Sequence, residues 1–494
     1  MQTVICHLPC DNPSMLIAQY VSQRLFALAL LLALAACGTV PVATPSLPAA
    51  FARAMQEADI PPSAVALRIQ DLEDGVPLVS HNASLPFQPA SIMKLVTTQA
   101  ALELLGPDYR WTTRFYTNGV QSDEVLQGPL IIQGSGDPRL AQEDLWRALR
   151  HLRALGVREI SGGLVFDRSR FQTMPENLPA FDAQPDKPYN ALPDALLLDA
   201  KAVNLRLMPD TINRRVTVFS EPALFGVAVI APTLTGGDCG DWRRQLGLVQ
   251  EASVLRFTGS YAASCAEQRL AIHASQLNHV QYFEAELRQI WSELGGSISG
   301  VTREGSVPAD ARLLLQWQSM PLSEAIRDMN KNSNNVMARQ LLLSMEAEHG
   351  QLPATPEAAS LRVSKWLAMA KIENAGFVME NGSGLSRTER VTALSMAQLL
   401  RRAWRWPTMP EFLASLPIAG IDGTMSRRVQ SLGVAGHAHI KTGTLAEVVS
   451  IAGYVTARSG RRLSVVCMVN HANANSPAMR KGIDAMLESV FENN

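Results

Sequence analysis

Gln88-Pro-Ala-Ser-Ile-Met-Lys94 leads into the apolar run Leu95 to Leu105, which stops at Gly106-Pro107. Glycine followed by proline is a helix terminator, so the run reads as a helix with Ser91 at its start. Lys94, three residues on, shares a helix face with Ser91, and its amine can reach the serine hydroxyl. The helix N-terminus also favours negative charge developing at that hydroxyl. The pair therefore reads as a nucleophile with its own base. A free lysine is protonated near neutral pH, and it serves as a base only when burial and a second cation depress its pKa. Ser-x-x-Lys is a weak pattern on its own, most instances being an exposed helix start beside a solvated lysine. Of the eight lysines in the chain, only Lys94 has a serine three residues before it.

Working outward, the missing cation has a candidate near the other end of the chain. Lys441-Thr442-Gly443-Thr444 is the one Lys-Thr-Gly in the sequence, and it precedes the strand-like run Val448 to Thr456. The segment reads as an edge strand of an antiparallel sheet, followed by a strand over Leu463 to Asn470 and a closing helix over Pro477 to Glu492. On such a strand Lys441 supplies the cation, Thr442 a hydroxyl for a substrate carboxylate, and Gly443 room for the substrate backbone. The alternative is a solvated lysine before a turn. Between these two pieces, Ser333-Asn334-Asn335 lies in a loop of four asparagines between helical segments. Ser-x-Asn is common, recurs at Ser80-His81-Asn82, and in isolation reads as a loop or helix cap. His437 and His439 stand close to Lys441 but share one strand face without a nearby nucleophile, and no Gly-x-Ser-x-Gly elbow is present, so a histidine triad is set aside.

In order, Ser-x-x-Lys, Ser-x-Asn and Lys-Thr-Gly form the motif set of penicillin-binding proteins and class A β-lactamases. Three more segments sharpen the match: Gly134-Ser-Gly-Asp-Pro138, Gly382-Ser-Gly-Leu-Ser-Arg387 and Leu416-Pro-Ile-Ala-Gly-Ile-Asp-Gly-Thr424. From about residue 50 to 490 the chain resembles the penicillin-binding protein 4 type of D-alanyl-D-alanine carboxypeptidase and endopeptidase, the low-molecular-mass class C penicillin-binding proteins. Asn381 stands where that family usually has aspartate, and Ser135 where it often has glycine; neither departure is expected to touch the catalytic set. Both glycine-rich segments lack the Gly-Lys-Ser/Thr ending of a phosphate loop and read as turns.

The resemblance implies an α/β (α+β) fold: a penicilloyl-serine transferase domain, transpeptidase-like, with an antiparallel sheet flanked by helices and two nested inserted domains. Lys94 and Ser333 are 239 positions apart, which leaves room for the insertions. The expected organisation is a catalytic domain over 48–115 and 301–494, a β-rich insert over 116–140 and 201–300, and a second small α/β insert over 141–200 that opens with an amphipathic helix from Glu143 to Leu155. The implied chemistry is acyl transfer on peptidoglycan peptides. Ser91, deprotonated by Lys94, attacks the carbonyl between two D-alanines or at a cross-link, giving an acyl-enzyme that water hydrolyses. Backbone N–H groups of Ser91 and Thr444 form the oxyanion hole, Ser333 relays the proton to the leaving amine, and Asn335 holds the substrate amide and Lys94. β-Lactam antibiotics are expected to acylate Ser91. No cofactor and no metal enter this scheme; the chain has no Cys-x-x-Cys and no His-Glu-x-x-His.

Composition agrees with a multidomain globular chain: 494 residues, 47% apolar and 18% charged, with a formal net charge of -1 that offers no footprint for nucleic acid. Near the N-terminus, Leu25 to Ala36 is an apolar run too short to span a bilayer, with Arg24 before it and Leu34-Ala35-Ala36-Cys37 at its end. This reads as a signal peptide over 1–36, with Met15 a candidate true start, and the tetrad resembles a bacterial lipobox. Lipidation of Cys37 and a proline- and alanine-rich tether over 37–47 follow from that reading, placing the protein in the periplasm with a lipid anchor as its membrane contact. A plain secretory signal with an incidental cysteine is the alternative. Export puts the later cysteines in an oxidising compartment. Cys467 lies in the apolar run Leu463 to Val469 and reads as a small buried hydrophobe, which leaves Cys239 and Cys265 as a disulfide pair. Oligomeric state stays open, a homodimer included. Two other functions share this framework: a β-lactamase on the same fold, for which no Glu-x-x-Leu-Asn segment supplies a class A deacylating glutamate, and a non-enzymatic peptidoglycan-binding lipoprotein.

Overall fold

The computed structural model describes residues 47–175 and 181–494; the expected signal peptide, the candidate lipidation site Cys37 and the expected tether up to residue 46 lie outside the described residues. The elements that carry the site are, in chain order, α1 (Ala49–Glu57), β1 (Val65–Asp71), β2 (Pro77–His81), α2 (Met93–Leu104), α3 (Leu322–Lys331), α4 (Asn335–His349), α5 (Ala393–Arg405), β3 (Ala438–Leu445), β4 (Val448–Thr456), β5 (Arg462–Asn470) and α6 (Pro477–Glu492). The five strands form one antiparallel sheet in the order β2-β1-β5-β4-β3, so the two chain ends of the catalytic region meet at its centre.

The run Leu-Ser-Val-Val-Cys-Met-Val in β5 lacks the polar alternation of a half-exposed strand because both faces of the sheet are covered. Val465, Cys467 and Val469 face a core shared with Phe51 of α1 and Ile483 and Leu487 of α6. Val466 and Met468 face the opposite core, built with α2, α4 and α5 through Val96, Leu341, Met396 and Leu400. Cys467 is fully buried, and burial pushes its thiol up to about 12, so it is the inert hydrophobe expected. Side-chain caps set the helix starts: Ser476 accepts from the N–H of Met479 before α6, and Asn334 accepts from that of Met337 before α4.

Strand pairing distributes the inserted pieces differently from the expectation. The chain leaves the catalytic layers along Thr112–Thr117 and returns along Arg312–Gln318, and these two strands pair antiparallel. They belong to a mixed five-stranded sheet whose other members, Leu130–Gln133, Leu164–Asp167 and Arg303–Glu304, run parallel. Parallel neighbours need a crossover, and the helix Gln142–Ala154 provides it between Leu130–Gln133 and Leu164–Asp167. The amphipathic helix thus belongs to the sheet that flanks it in sequence and does not open a separate unit over 141–200. The β-rich part lies inside this α/β layer, over Ala202–His273, as a three-stranded and a four-stranded sheet. One hydrophobic core joins both parts, from Leu149 and Phe166 to Leu205 and Phe257. Cys239 and Cys265 are disulfide-bonded at the edge of that core. Among the described residues no helix is long and apolar enough to cross a membrane.

Candidate active site

Ser91 is held in a tight turn. A 3-10 helix, Ala90–Ile92, precedes α2, and Ala90 takes a left-handed φ of 47°. Such strain in a non-glycine residue persists only where its surroundings enforce it. Here Gly384 is packed so closely that a Cβ on it would lie 1.9 Å from the Ala90 carbonyl oxygen and 2.7 Å from the Ser91 nitrogen. Gly443 of β3 closes the other side, where a Cβ would stand 2.8 Å from the same nitrogen. Two separate segments therefore clamp the backbone of the serine.

The residues named from sequence fall into two hydrogen-bonded groups around that turn. Lys94 Nζ, with no solvent exposure, donates to Ser91 Oγ at 3.0 Å, to Asn335 Oδ1 at 2.7 Å and to the Ser383 carbonyl at 2.6 Å. Lys441 Nζ, equally buried, donates to Ser333 Oγ at 2.8 Å and to the Thr442 carbonyl at 2.7 Å. Ser333 has φ 56° in the turn between α3 and α4, which aims its hydroxyl at the strand. Thr442 shares a hydrogen bond with the Thr424 hydroxyl at 2.8 Å, and Thr444 is exposed on the edge strand.

Electrostatics follow from this burial. Lys94 is driven well below the ordinary lysine range, first by loss of solvent and then by the charge of Lys441; Arg339 pushes the same way and Glu389 opposes. Burial alone brings Lys441 down to about 7. Lys441 is thus the second charge beside the pair, and it lowers Lys94. His439 is half-buried and lowered by desolvation, then by Lys331; His437 stacks against Phe491 of α6. Among the described residues the side-chain partner of Ser91 is Lys94, not a histidine.

A model of the D-Ala-D-Ala carboxypeptidase 3 (S13) family matches residues 47–490. The chain belongs to that family. The serine-type D-Ala-D-Ala carboxypeptidase implied by the ordered motifs is borne out by this membership. The D-alanyl-D-alanine carboxypeptidase DacB of Haemophilus influenzae is 25% identical over 403 residues, covering 80% of this chain and 82% of that one. A D-alanyl-D-alanine carboxypeptidase of an Actinomadura species is 29% identical over 444 residues, 85% of this chain and 80% of the relative. The crystal structure of penicillin binding protein 4 from Haemophilus influenzae has the same fold, with a TM-score of 0.74 and 24% identity over 89% of this chain and 98% of that chain.

Within this S13 chain the structure adds residues that sequence reasoning did not place at the site. The Gly382–Arg387 segment, read only as a turn, forms a wall of the site: the Ser383 carbonyl accepts from Lys94 and the Gly382 carbonyl from Thr97 Oγ1 at 2.7 Å. Asn381 was expected to stand clear of the catalytic set and instead lies one contact away. Its Oδ1 accepts from the Ser383 N–H at 3.0 Å and the Ser383 hydroxyl at 2.6 Å, as an aspartate oxygen can, while its amide donates to the Leu385 carbonyl. Ser135 does stay remote, its hydroxyl accepting from the N–H of Thr112. Thr424 ends the Leu416–Thr424 segment that carried the resemblance but no assigned role, and Glu389 had no local signal beyond being a polar residue in a loop.

Proposed function

We propose that this S13 peptidase acts through a Ser91 acyl-enzyme, as a DD-carboxypeptidase and also as a DD-endopeptidase on peptidoglycan cross-links. The observation that carries the reading is Lys94: a buried amine of depressed pKa, 3.0 Å from the Ser91 hydroxyl. A neutral amine at that distance takes the serine proton as Oγ attacks the carbonyl, within the reach general-base transfer requires. The N–H groups of Ser91 and Thr444 serve the developing oxyanion, typically worth about 3–4 kcal/mol per donor. Ser333, bonded to Lys441, passes a proton to the leaving amine; Asn335 orients Lys94 and the substrate amide. Lys441 and the Thr442 hydroxyl receive the terminal carboxylate of a D-alanyl-D-alanine end. Carboxypeptidase and endopeptidase cleavage use the same acyl-enzyme and differ in the leaving amine, which supports assigning both. β-Lactams enter as mimics of the same end, and the reading carries with it a periplasmic location and an anchor through Cys37.

Intact-mass analysis after incubation with benzylpenicillin, with Ser91→Ala as control, tests the proposal alongside release of D-alanine and cleavage of cross-linked muropeptides. The expected result is a lasting adduct that requires Ser91, together with both products. Rapid drug turnover without an adduct points to a β-lactamase; neither adduct nor turnover in folded protein points to a binding-only lipoprotein.

A further inference from the structure

Glu389 is an interior charge beside the site that the scheme above does not use. It has no solvent exposure, and one of its oxygens, Oε1, accepts the backbone N–H groups of Glu380, Asn381 and Gly382 at 3.1, 3.0 and 3.0 Å. Three amides converging on one oxygen fix the course of the loop. That loop contacts the serine turn and helix at three points: Ser383 carbonyl to Lys94, Gly382 carbonyl to Thr97, Gly384 against Ala90. Among the described residues the other oxygen, Oε2, is buried without a hydrogen-bond partner. Bending a loop needs only an acceptor, and a neutral side chain could provide one. Burying a full carboxylate with a bare oxygen is costly unless opposite charge compensates it.

We infer that Glu389 is a positioning residue for the Ser91–Lys94 pair, its backbone bonds setting the Ser383 carbonyl that grips Lys94 and its charge facing the cations around that lysine. The charged groups that interact with it are Lys94 on α2, Arg339 on α4 and, on its own loop, Glu380; Lys441 on β3 acts on Lys94. Glu380 is exposed and accepts from the hydroxyls of Ser386 and Thr388. Burial, Lys441 and Arg339 all depress Lys94, while Glu389 acts in the opposite direction. A base is most effective when its pKa stays near the working pH. Glu389 therefore keeps Lys94 from becoming an amine that is neutral but too weak to take the serine proton.

The inference rests on the Ser91–Lys94 reading and is tested so that the two fail separately. Benzylpenicillin acylation rates are measured by intact mass across pH 5–10 for the parent, Glu389→Gln, Glu389→Asp and Glu389→Ala, with melting curves for each. An adduct on the parent that is lost in Ser91→Ala keeps the functional reading in place whatever the Glu389 variants do. Glu389→Gln retains an acceptor oxygen and loses the charge; its acid limb is expected to move to lower pH by about one unit. Glu389→Asp keeps the charge on a shorter arm, so its limb stays in place while its plateau rate falls about tenfold. Glu389→Ala orphans three amides, with a rate loss on the order of 10²-fold. An acid limb that coincides with the parent's in folded Glu389→Gln overturns the electrostatic role. Plateau rates within twofold of the parent in folded Glu389→Asp, and in Glu389→Ala where it folds, overturn the positioning role.

Discussion

Replacing Gly443 by alanine tests the clamp on the nucleophile at its tightest point. The new Cβ would lie 2.3 Å from Ser450 Oγ, 2.8 Å from the Ser91 nitrogen and 2.9 Å from the Pro89 carbonyl oxygen. Ser450 cannot turn away freely, since its buried hydroxyl donates to that same Pro89 carbonyl at 2.5 Å. The other two atoms are backbone, and Gly384 blocks the turn from retreating. Strand and serine turn must therefore separate by about 0.6 Å to reach ordinary contact, and overpacking of this kind costs about 1–3 kcal/mol. The same shift misaligns Ser91 with the edge strand that lines the substrate. Displacements of that size reduce reaction rates by roughly 10- to 100-fold. The assay is the second-order rate of benzylpenicillin acylation, with urea denaturation run in parallel. Gly236→Ala is the control, since nothing lies within 4 Å of a Cβ there. A folded Gly443→Ala protein that acylates within threefold of the parent would refute the argument that this glycine is required by the approach of strand to serine.

Three further outcomes follow from the same packing. Burial brings Lys441 to about 7, against about 10.4 in an unfolded chain, so the unfolded state binds more protons between these values and stability rises with pH across that window. Lys441→Met is thus expected to gain about 1–3 kcal/mol at pH 6, after its lost hydrogen bonds are counted, with the gain fading toward pH 10 and acylation impaired throughout; a pH-independent difference in urea melts argues against this. Lys94→Ala should fold and abolish the penicillin adduct from pH 6 to 9, because it removes the base; an adduct formed at the parental rate would contradict that role. Removing the Cys239–Cys265 bridge by paired alanine substitution should lower stability by about 3–4 kcal/mol through the unfolded chain, while acylation stays within about twofold because the bridge belongs to the insert core; differential scanning calorimetry and the acylation rate check both.

What could be read from the sequence is what local chemistry encodes. The Gly106-Pro107 stop, the strand-like runs of β4 and β5 and the Ser476-Pro477 start of α6 are short-range patterns, and each element lies where its pattern put it. Ser91 and Lys94 are readable because a helix places i and i+3 on one face, and the pairing of Cys239 with Cys265 because the expected export and an apolar run around Cys467 pointed to no other partner. Lys441 and Ser333 could be named but not joined: their bond spans 108 residues and exists because β3 lies at the sheet edge beside the α3–α4 turn. The nesting of the inserted sheets is not legible for the same reason, since parallel pairing of Leu130–Gln133 with Leu164–Asp167 leaves no mark in either strand. Glu389 and the Ser383 carbonyl are the extreme case. A backbone oxygen has no sequence signature, and a lone glutamate in a loop looks solvated until folding removes the water around it. Residue identity and spacing determined which groups could do the chemistry; burial, which depends on every layer packed around them, decided the charge they carry and the atoms they face.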